Sequence, residues 1–431
     1  SAGISAPAAD SDPESDHETI RAGMTGVVVE TAVVGATVAA GGEVALLEAM
    51  KMQHVVAAPD SVRIERVLVR AGQTVGPDTA LVVVSPVDTD PDAVDVADEV
   101  DFDTVRDDLA QVHQRHHITL DEARPAAVAK RHALHRRTAR ENIADLVDAG
   151  SFVEYGALTV AAQRGHRTEE DLIANTPADG LVAGLATVGA DLFGRAAEVA
   201  VLSYDYTVMA GTQGLNGHAK TDRLLDIAAR RGIPVVLFTE GGGGRPGDFD
   251  GQRTAGLDLP TFRALAELRG RVPLVAIVSG RCFAGNAALA GVCDVIIATP
   301  DANIGMGGPA MIEGGGLGVF RPEDIGPVEV QRRNGVIDIV ADDEAHAVAT
   351  ARRYLSYFQG DIPDWAAPDA RAARHAVPEN RLRAYDVRRV LESIADVGMV
   401  LELRPDYGVG VVTALIRVEG VAYGVFANDC R

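Results

Sequence analysis

From residue 21 to 86 apolar and polar positions alternate in short runs, rich in Val and broken at close intervals by Gly- and Asp-bearing turns. Alternation of period two predicts half-buried strands, so this stretch reads as a small all-β domain over 20–86. It contains an internal repeat: VVGATVAAGGEVALL (33–47) resembles VRAGQTVGPDTALVV (69–83). Each copy is an apolar strand, a Gly, a short strand, a turn and a further apolar strand. Two copies of one unit imply a pseudo-symmetric barrel or flattened sandwich. Lys51 falls just after the first copy, near the junction of the halves.

The alternation then stops. Residues 87–108 are acidic, carry Pro and hold few large apolar side chains, the composition of a solvated linker. Residues 1–19 are expected to be a disordered linker on similar grounds. From about 109 the pattern turns helical and basic (QVHQRHH, KRHALHRRTAR). From about 150 helices alternate with apolar strands: TDRLLDIAARR before VVLF, TFRALAELRG before LVAIV, then VCDVIIAT. Such alternation predicts parallel pairing, with glycines at the strand ends, where ligands bind in sheets of this kind. Residues 340–358 predict an amphipathic helix capped by Asp342. A polar, Pro-rich stretch at 360–384 marks a boundary, giving one α/β half over 109–375. The remainder, 376–431, ends in GVGVVTALIRVEGVAYGVFAND (408–429), which resembles the strand–turn–strand at 180–205. A hairpin that close to Arg431 is expected to have no sheet to join within its own half, so a second α/β half is expected to be largely missing.

Composition narrows the function classes. The formal net charge of −22 argues against broad nucleic-acid binding, which needs phosphate-facing basic surface. The N-terminus lacks the basic and apolar regions of a signal peptide. No apolar run approaches the length of a membrane-spanning helix. The three cysteines, Cys282, Cys293 and Cys430, form no C-x-x-C pair, so a disulfide framework and a zinc ribbon are not expected and a cytoplasmic setting fits. Lysine occurs only at Lys51, Lys130 and Lys220. Two of the seven methionines, Met50 and Met52, flank Lys51. They would give soft apolar contact to a lysine at the tip of a β-turn.

The run Glu48-Ala49-Met50-Lys51-Met52 resembles the attachment motif of biotin carboxyl carrier domains. The resemblance covers about 20–86 and implies a biotinyl/lipoyl-like barrel, with biotin held as an amide on Lys51 by a biotin protein ligase. Residues 130–431 resemble the carboxyltransferase subunits of propionyl-CoA and related acyl-CoA carboxylases. RRTARENIADLVDAGSFVEYG, PADGLVAGLATV, YDYTVMAGTQG, GIPVVLFTEGGGGR, SGRCFAGNAA, GMGGP and VEGVAYGVFAND carry that resemblance. It implies a crotonase-like ββα spiral whose second copy is incomplete here. The implied activity is transfer of a carboxyl group from carboxybiotin to the α-carbon of an acyl-CoA (acetyl, propionyl or longer).

That chemistry passes through a thioester enolate, whose oxygen is best stabilised by preorganised backbone N–H groups. Glycine allows close approach to such groups. The oxyanion hole is expected at Ala284-Gly285, where the family has Gly-Gly; both N–H donors are expected to remain. The resemblance assigns the acyl-CoA to Gly242, Gly243 and Gly244 and to Gly307-Gly308. Arg245 either fixes the first turn or pairs with substrate. Lys220, after GLNGHA, stands where the family carries a basic residue near the acyl-CoA cleft, and a structural role is equally open. The family works as homo-oligomers, usually hexamers, with ATP and Mg confined to a separate or upstream biotin carboxylase domain or subunit.

Weaker candidates are discounted. His113, His116 and His117 have helical spacing but no surrounding ligand set, so no metal site is expected. Arg136, Arg137 and Arg140 read as a charged helix face as readily as a CoA phosphate site. Cys282 needs no role beyond that of a small buried hydrophobe. Two alternatives stay open: a biotin-dependent decarboxylase or transcarboxylase component, and a carrier or assembly fragment without transferase activity.

Overall fold

The computed structural model describes residues 18–87, 101–248, 250 and 259–431. Of the expected linkers, 1–19 and 87–108, residues 1–17 and 88–100 lie outside them; contrary to expectation residues 18 and 19 begin the first strand and residues 107 and 108 the first helix. The chain divides into two compact units, one ending at Val105 and one beginning at Arg106.

The first unit is all β. Its strands are β1 (Glu18–Arg21), β2 (Gly26–Thr31), β3 (Thr37–Val38), β4 (Glu43–Ala49), β5 (Met52–Ala57), β6 (Val62–Val67), β7 (Thr74–Val75) and β8 (Ala80–Pro86). They form two four-stranded sheets, ordered β1-β8-β6-β3 and β5-β4-β2-β7. Each copy of the sequence repeat lends its short strand to the sheet of the other: β3 pairs with β6, and β7 with β2. The alternating apolar positions face inward, so that Val28, Val44, Leu47, Ile64, Leu81 and Val84 share one core. Each buried aliphatic side chain of this size contributes roughly 1.5–3 kcal/mol.

The second unit opens with three helices, α1 (Asp107–Ile118), α2 (Pro125–His132) and α3 (Ala139–Leu146). Thr138 and Glu141 form a capping box at the start of α3. A seven-stranded sheet follows, ordered β17-β15-β13-β12-β11-β10-β9. Its members are β9 (Val153–Glu154), β10 (Leu181–Thr187), β11 (Glu198–Tyr204), β12 (Val235–Phe238), β13 (Leu274–Val278), β15 (Val295–Ala298) and β17 (Ile339–Val340). β9, β10 and β11 pair antiparallel, and the rest parallel from β11 onward. Short helices α4 (Glu169–Asn175) and α5 (Ala190–Phe193) lie in the connections around β10.

The sheet is covered on both faces, which explains its continuous apolar runs. Leu181, Ala183 and Leu202 join a core with α6 (Leu215–Arg231), α7 (Thr261–Leu268) and α8 (Gly285–Val292). Val182, Val201 and Val236 face α3 and α11 (Glu344–Gln359) instead. The cap of α11 is Asp343, which accepts the His346 N–H; the expected cap, Asp342, instead bonds the His346 ring. Two short strands, β14 (Arg281–Phe283) and β16 (Asn303–Gly305), pair parallel in a separate layer. Helices α9 (Pro309–Gly314) and α10 (Val328–Gln331) follow β16.

The closing segment holds α12 (Ala373–Ala376), α13 (Val387–Ile394), β18 (Val400–Leu403), β19 (Val411–Val418) and β20 (Val421–Asn428). Contrary to expectation, the last hairpin does have a sheet to join, ordered β18-β19-β20. The arrangement repeats β9-β10-β11. Arg417, buried on β19, ties the hairpin back to the end of α11 by donating to the Ser356 and Gly360 carbonyls at 2.5 and 2.9 Å. Among the described residues no helix is long and apolar enough to cross a membrane.

Candidate active site

In the first unit β4 and β5 pair antiparallel up to Ala49 and Met52, leaving Met50 and Lys51 as a two-residue loop. Both have positive φ, 53° and 64°, the geometry of a type I′ hairpin turn. The turn pushes its side chains outward: Met50 is 97% exposed, Met52 66%, and Lys51 is exposed between them. A primary amine at the tip of a tight hairpin can form an amide with a carboxylic acid without disturbing the core beneath it. The site therefore fits a covalently held prosthetic group.

The second unit builds its candidate site from three turns. The first leaves β12. The Gly241 N–H donates to the Arg281 carbonyl at 2.7 Å, and the Phe283 N–H to the Gly241 carbonyl at 2.9 Å, so this turn runs beside β14. Gly243 has φ +90°. Its N–H donates to Asn286 Oδ1 at 2.9 Å, and its carbonyl accepts from the Gln213 N–H at 2.7 Å. A Cβ there would stand 2.6 Å from the Ala284 Cβ and 3.2 Å from the Gly285 nitrogen. Glycine at 243 thus keeps open the space before the first peptide of α8. Gly242 and Gly244 have no such constraint; at Gly244 a Cβ would meet nothing within 4 Å.

The second turn joins β14 to α8. Ala284 adopts φ 50°, ψ −119°, a region that favours glycine. An alanine held there stores about 1–3 kcal/mol of strain. Its N–H is not a free donor, because it bonds the Gly305 carbonyl at 3.0 Å. The expectation of two oxyanion donors at Ala284-Gly285 is corrected on this point: the parallel β14–β16 pairing takes the Ala284 N–H. The Gly285 N–H lies in the first turn of α8, where N–H groups have no partner within the helix. A Cβ on Gly285 would overlap Gln213 Oε1.

The third turn, Gly307-Gly308, follows β16 rather than a strand of the main sheet. Gly308 lies against the Phe283 ring, where a Cβ would be 3.6 Å away. The three turns are thus side by side, at the ends of adjacent strands.

Two expected site residues stand behind these turns. The Arg245 guanidinium is buried and forms an ion pair with Asp179. Its remaining donors reach the Asp179 carbonyl at 3.2 Å, the Thr212 carbonyl at 3.0 Å and Thr212 Oγ1 at 3.1 Å. The fifth reaches Asp248 Oδ2 at 3.5 Å, so none is left for substrate and Arg245 holds the turn. Burial pushes the Asp179 carboxyl up; Arg245 and the Gly217 N–H pull it back. Lys220 is buried too, and its ammonium donates to the Ala178 carbonyl at 3.0 Å and to that of Leu181. Burial lowers its pKa to about 8. Both cations brace Pro177–Gly180, where Ala178 and Asp179 hold positive φ. Of the two roles open to Lys220, these bonds favour the structural one.

Sequence reasoning missed Gln213, Asp179 and Glu240. Glu240, at the end of β12, accepts from Arg131 at 2.7 and 3.2 Å, and its carboxyl lies against Gly280. The one signal for Asp179 was its place in PADG, within a matching stretch.

The discounted groups have internal partners. Arg136 bonds Ser279 and Asp301, Arg137 bonds Asp145, and Arg140 bonds Glu154. Burial pushes the Cys282 thiol up to about 12. Among the described residues no group of three or more His, Cys, Asp or Glu could hold a metal ion.

Comparison with known proteins matches residues 130–431 to the family described as "Carboxyl transferase domain" and residues 18–84 to that described as "Biotin-requiring enzyme". The methylmalonyl-CoA carboxyltransferase 12S subunit of Propionibacterium freudenreichii subsp. shermanii is 32% identical over 70% of this chain and 57% of its own length. The propionyl-CoA carboxylase beta chain of Saccharopolyspora erythraea is 28% identical over 79% and 64%. A solved single-chain, multi-domain long-chain acyl-CoA carboxylase is 66% identical, with a TM-score of 0.73, over 98% of this chain and 40% of its own. The chain therefore spans less than two thirds of the length of each of these relatives.

Proposed function

The chain belongs to the carboxyl transferase domain family, and from that premise we propose that it holds a biotin attachment site at Lys51 and the acyl-CoA side of a carboxyl-transfer site around Gly285. One observation carries the reading: a single chain joins an exposed lysine hairpin to a glycine cradle before the first peptide of α8. Biotin, once attached, supplies a carrier for an activated carboxyl group. The protein's part is to present and to hold. Lys51 presents the carrier beyond Met50 and Met52.

At the second unit, loss of an α-proton from a bound acyl-CoA leaves negative charge on the thioester oxygen. The Gly285 N–H, reinforced by the N-terminal end of α8, stabilises that oxygen. Gly243 keeps the approach clear, while Gly242 and Gly244 offer open backbone to the thioester and pantetheine. The α-carbon then forms its C–C bond to the carboxyl carbon as the N–C bond of the bound, carboxylated carrier breaks, and the nitrogen freed by that cleavage accepts the α-proton.

A long-chain acyl-CoA is the favoured substrate, on the strength of the 66% identity to a long-chain acyl-CoA carboxylase. The partners are a biotin carboxylase domain or subunit using ATP and Mg, a biotin protein ligase, and further copies of the chain. Self-association finds support in the solved transcarboxylase 12S, a hexamer assembly 29% identical to this chain. A cytoplasmic setting goes with this function.

The test is labelled-bicarbonate transfer by the biotinylated chain, with a biotin carboxylase, ATP and Mg, to acetyl-, propionyl- and dodecanoyl-CoA. Label on the acyl-CoA is expected. Label that stops on the carrier would leave a carrier role alone. The 12S relative favours a second reading, reverse flow from a carboxylated acyl-CoA; label moving from methylmalonyl-CoA to the carrier without ATP would establish it.

A further inference from the structure

The stretch that follows β16 combines many glycines with exposed apolar side chains. Seven of the residues from Gly305 to Phe320 are glycine, and only Glu313 is charged. Five of the large side chains in it are exposed: Met306, Met311, Leu317 at 75%, Val319 at 79%, and Phe320. They lie over their own glycines. Met311 Sδ would be 3.4 Å from a Cβ on Gly307, and the Phe320 ring 3.1 Å from one on Gly318. An apolar patch of this kind marks a binding surface. Methionine and glycine suit a flexible, featureless ligand, because both adapt their shape.

The patch is continuous with the candidate cradle. The Ala284 N–H reaches the Gly305 carbonyl, and Gly308 rests on the Phe283 ring, one residue before Ala284. An acyl group whose thioester oxygen sits at the Gly285 N–H passes the glycines that cover the buried Phe283 ring and then meets this surface as its chain lengthens. We propose that Met306–Phe320 is the surface that receives the alkyl tail of the acyl-CoA, and that Met311, Leu317 and Val319 select long chains over short ones. The inference rests on the acyl-CoA reading above.

The experiment measures binding of CoA, propionyl-CoA and dodecanoyl-CoA to the full chain and to Met311→Ser and Leu317→Ser/Val319→Ser variants. The altered side chains are exposed, so folding is expected to survive. At about 0.8 kcal/mol per buried methylene, two or three methylenes on the patch give dodecanoyl-CoA at least about a tenfold advantage over propionyl-CoA. The double variant should lose that advantage and keep its affinity for propionyl-CoA. A dodecanoyl-CoA with a photoreactive diazirine at the tail end should label peptides from 306–320.

An unchanged chain-length ratio in the double variant, or labelling elsewhere, would overturn the tail surface and leave the acyl-CoA reading standing. So would a dimer that the double variant splits with the ratio untouched, because the patch would then be a contact between copies. Failure of the unaltered chain to bind any of the three ligands would remove the acyl-CoA reading itself, and the tail surface with it.

Discussion

The Met50–Lys51 hairpin and the Ala284–Gly285 turn both hold non-glycine residues at positive φ, and there the likeness ends. At the hairpin the φ values of 53° and 64° match the ordinary left-handed region, and nothing packs on the side chains. At Ala284 the ψ of −119° is foreign to alanine, and the conformation survives because the β14–β16 pairing, Asn286 and Gln213 over-determine it. On the proposed function one region displays a group that must travel, and the other fixes a backbone donor that must not move.

Substitutions sharpen this contrast. The largest effect is expected from Lys51→Arg, which keeps the charge but removes the acylable amine. Transfer should fall to background with the melting temperature unchanged, since an exposed tip carries no packing. Next comes Gly285→Ala, whose Cβ would displace Gln213. Loss of a well-placed oxyanion donor lowers kcat by about 10²–10³-fold, and steady-state kinetics should show that fall with biotinylation intact.

A third effect concerns stability. Burial lowers the pKa of Lys220 from 10.5 to about 8, so the folded chain gives up this proton before the unfolded chain does. Its contribution to stability therefore rises as pH climbs through 8 and levels off above 10.5, a gain on the order of 3 kcal/mol at most. The difference in denaturation free energy between the unaltered chain and Lys220→Met, followed from pH 7 to 10.5, should show that slope; a flat difference would mean the ammonium is not desolvated.

The smallest effect is expected from Ala284→Gly. Relief of the backbone strain, offset by the greater freedom of an unfolded glycine, should stabilise the chain by roughly 1 kcal/mol. A matching substitution at Met50, where no comparable strain exists, should not stabilise it.

The long strands of both units were legible because period-two alternation and buried apolar runs survive in sequence, whereas the short β14, β16 and β18 were not. The repeat at 33–47 and 69–83 announced two related sheets, and Lys51 stood out by its methionines. What escaped was set by contacts between distant segments. The Ala284 N–H is taken by Gly305, which only strand pairing brings near. For Lys220 and Arg245 the sequence left a structural role and substrate contact equally open, since a lone cation carries no mark of its partner. Their partners, the Ala178 and Leu181 carbonyls and Asp179, come from a different element. Asp342 and Asp343 are adjacent candidates for one cap, and only the backbone geometry chooses between them.

With only three lysines in the chain, attachment at Lys51 is a sharp question. Peptide mass mapping of the chain produced together with a biotin protein ligase should find biotin on the Lys51 peptide, with Lys130 and Lys220 unmodified. An unmodified Lys51, or biotin on either of the others, would contradict it.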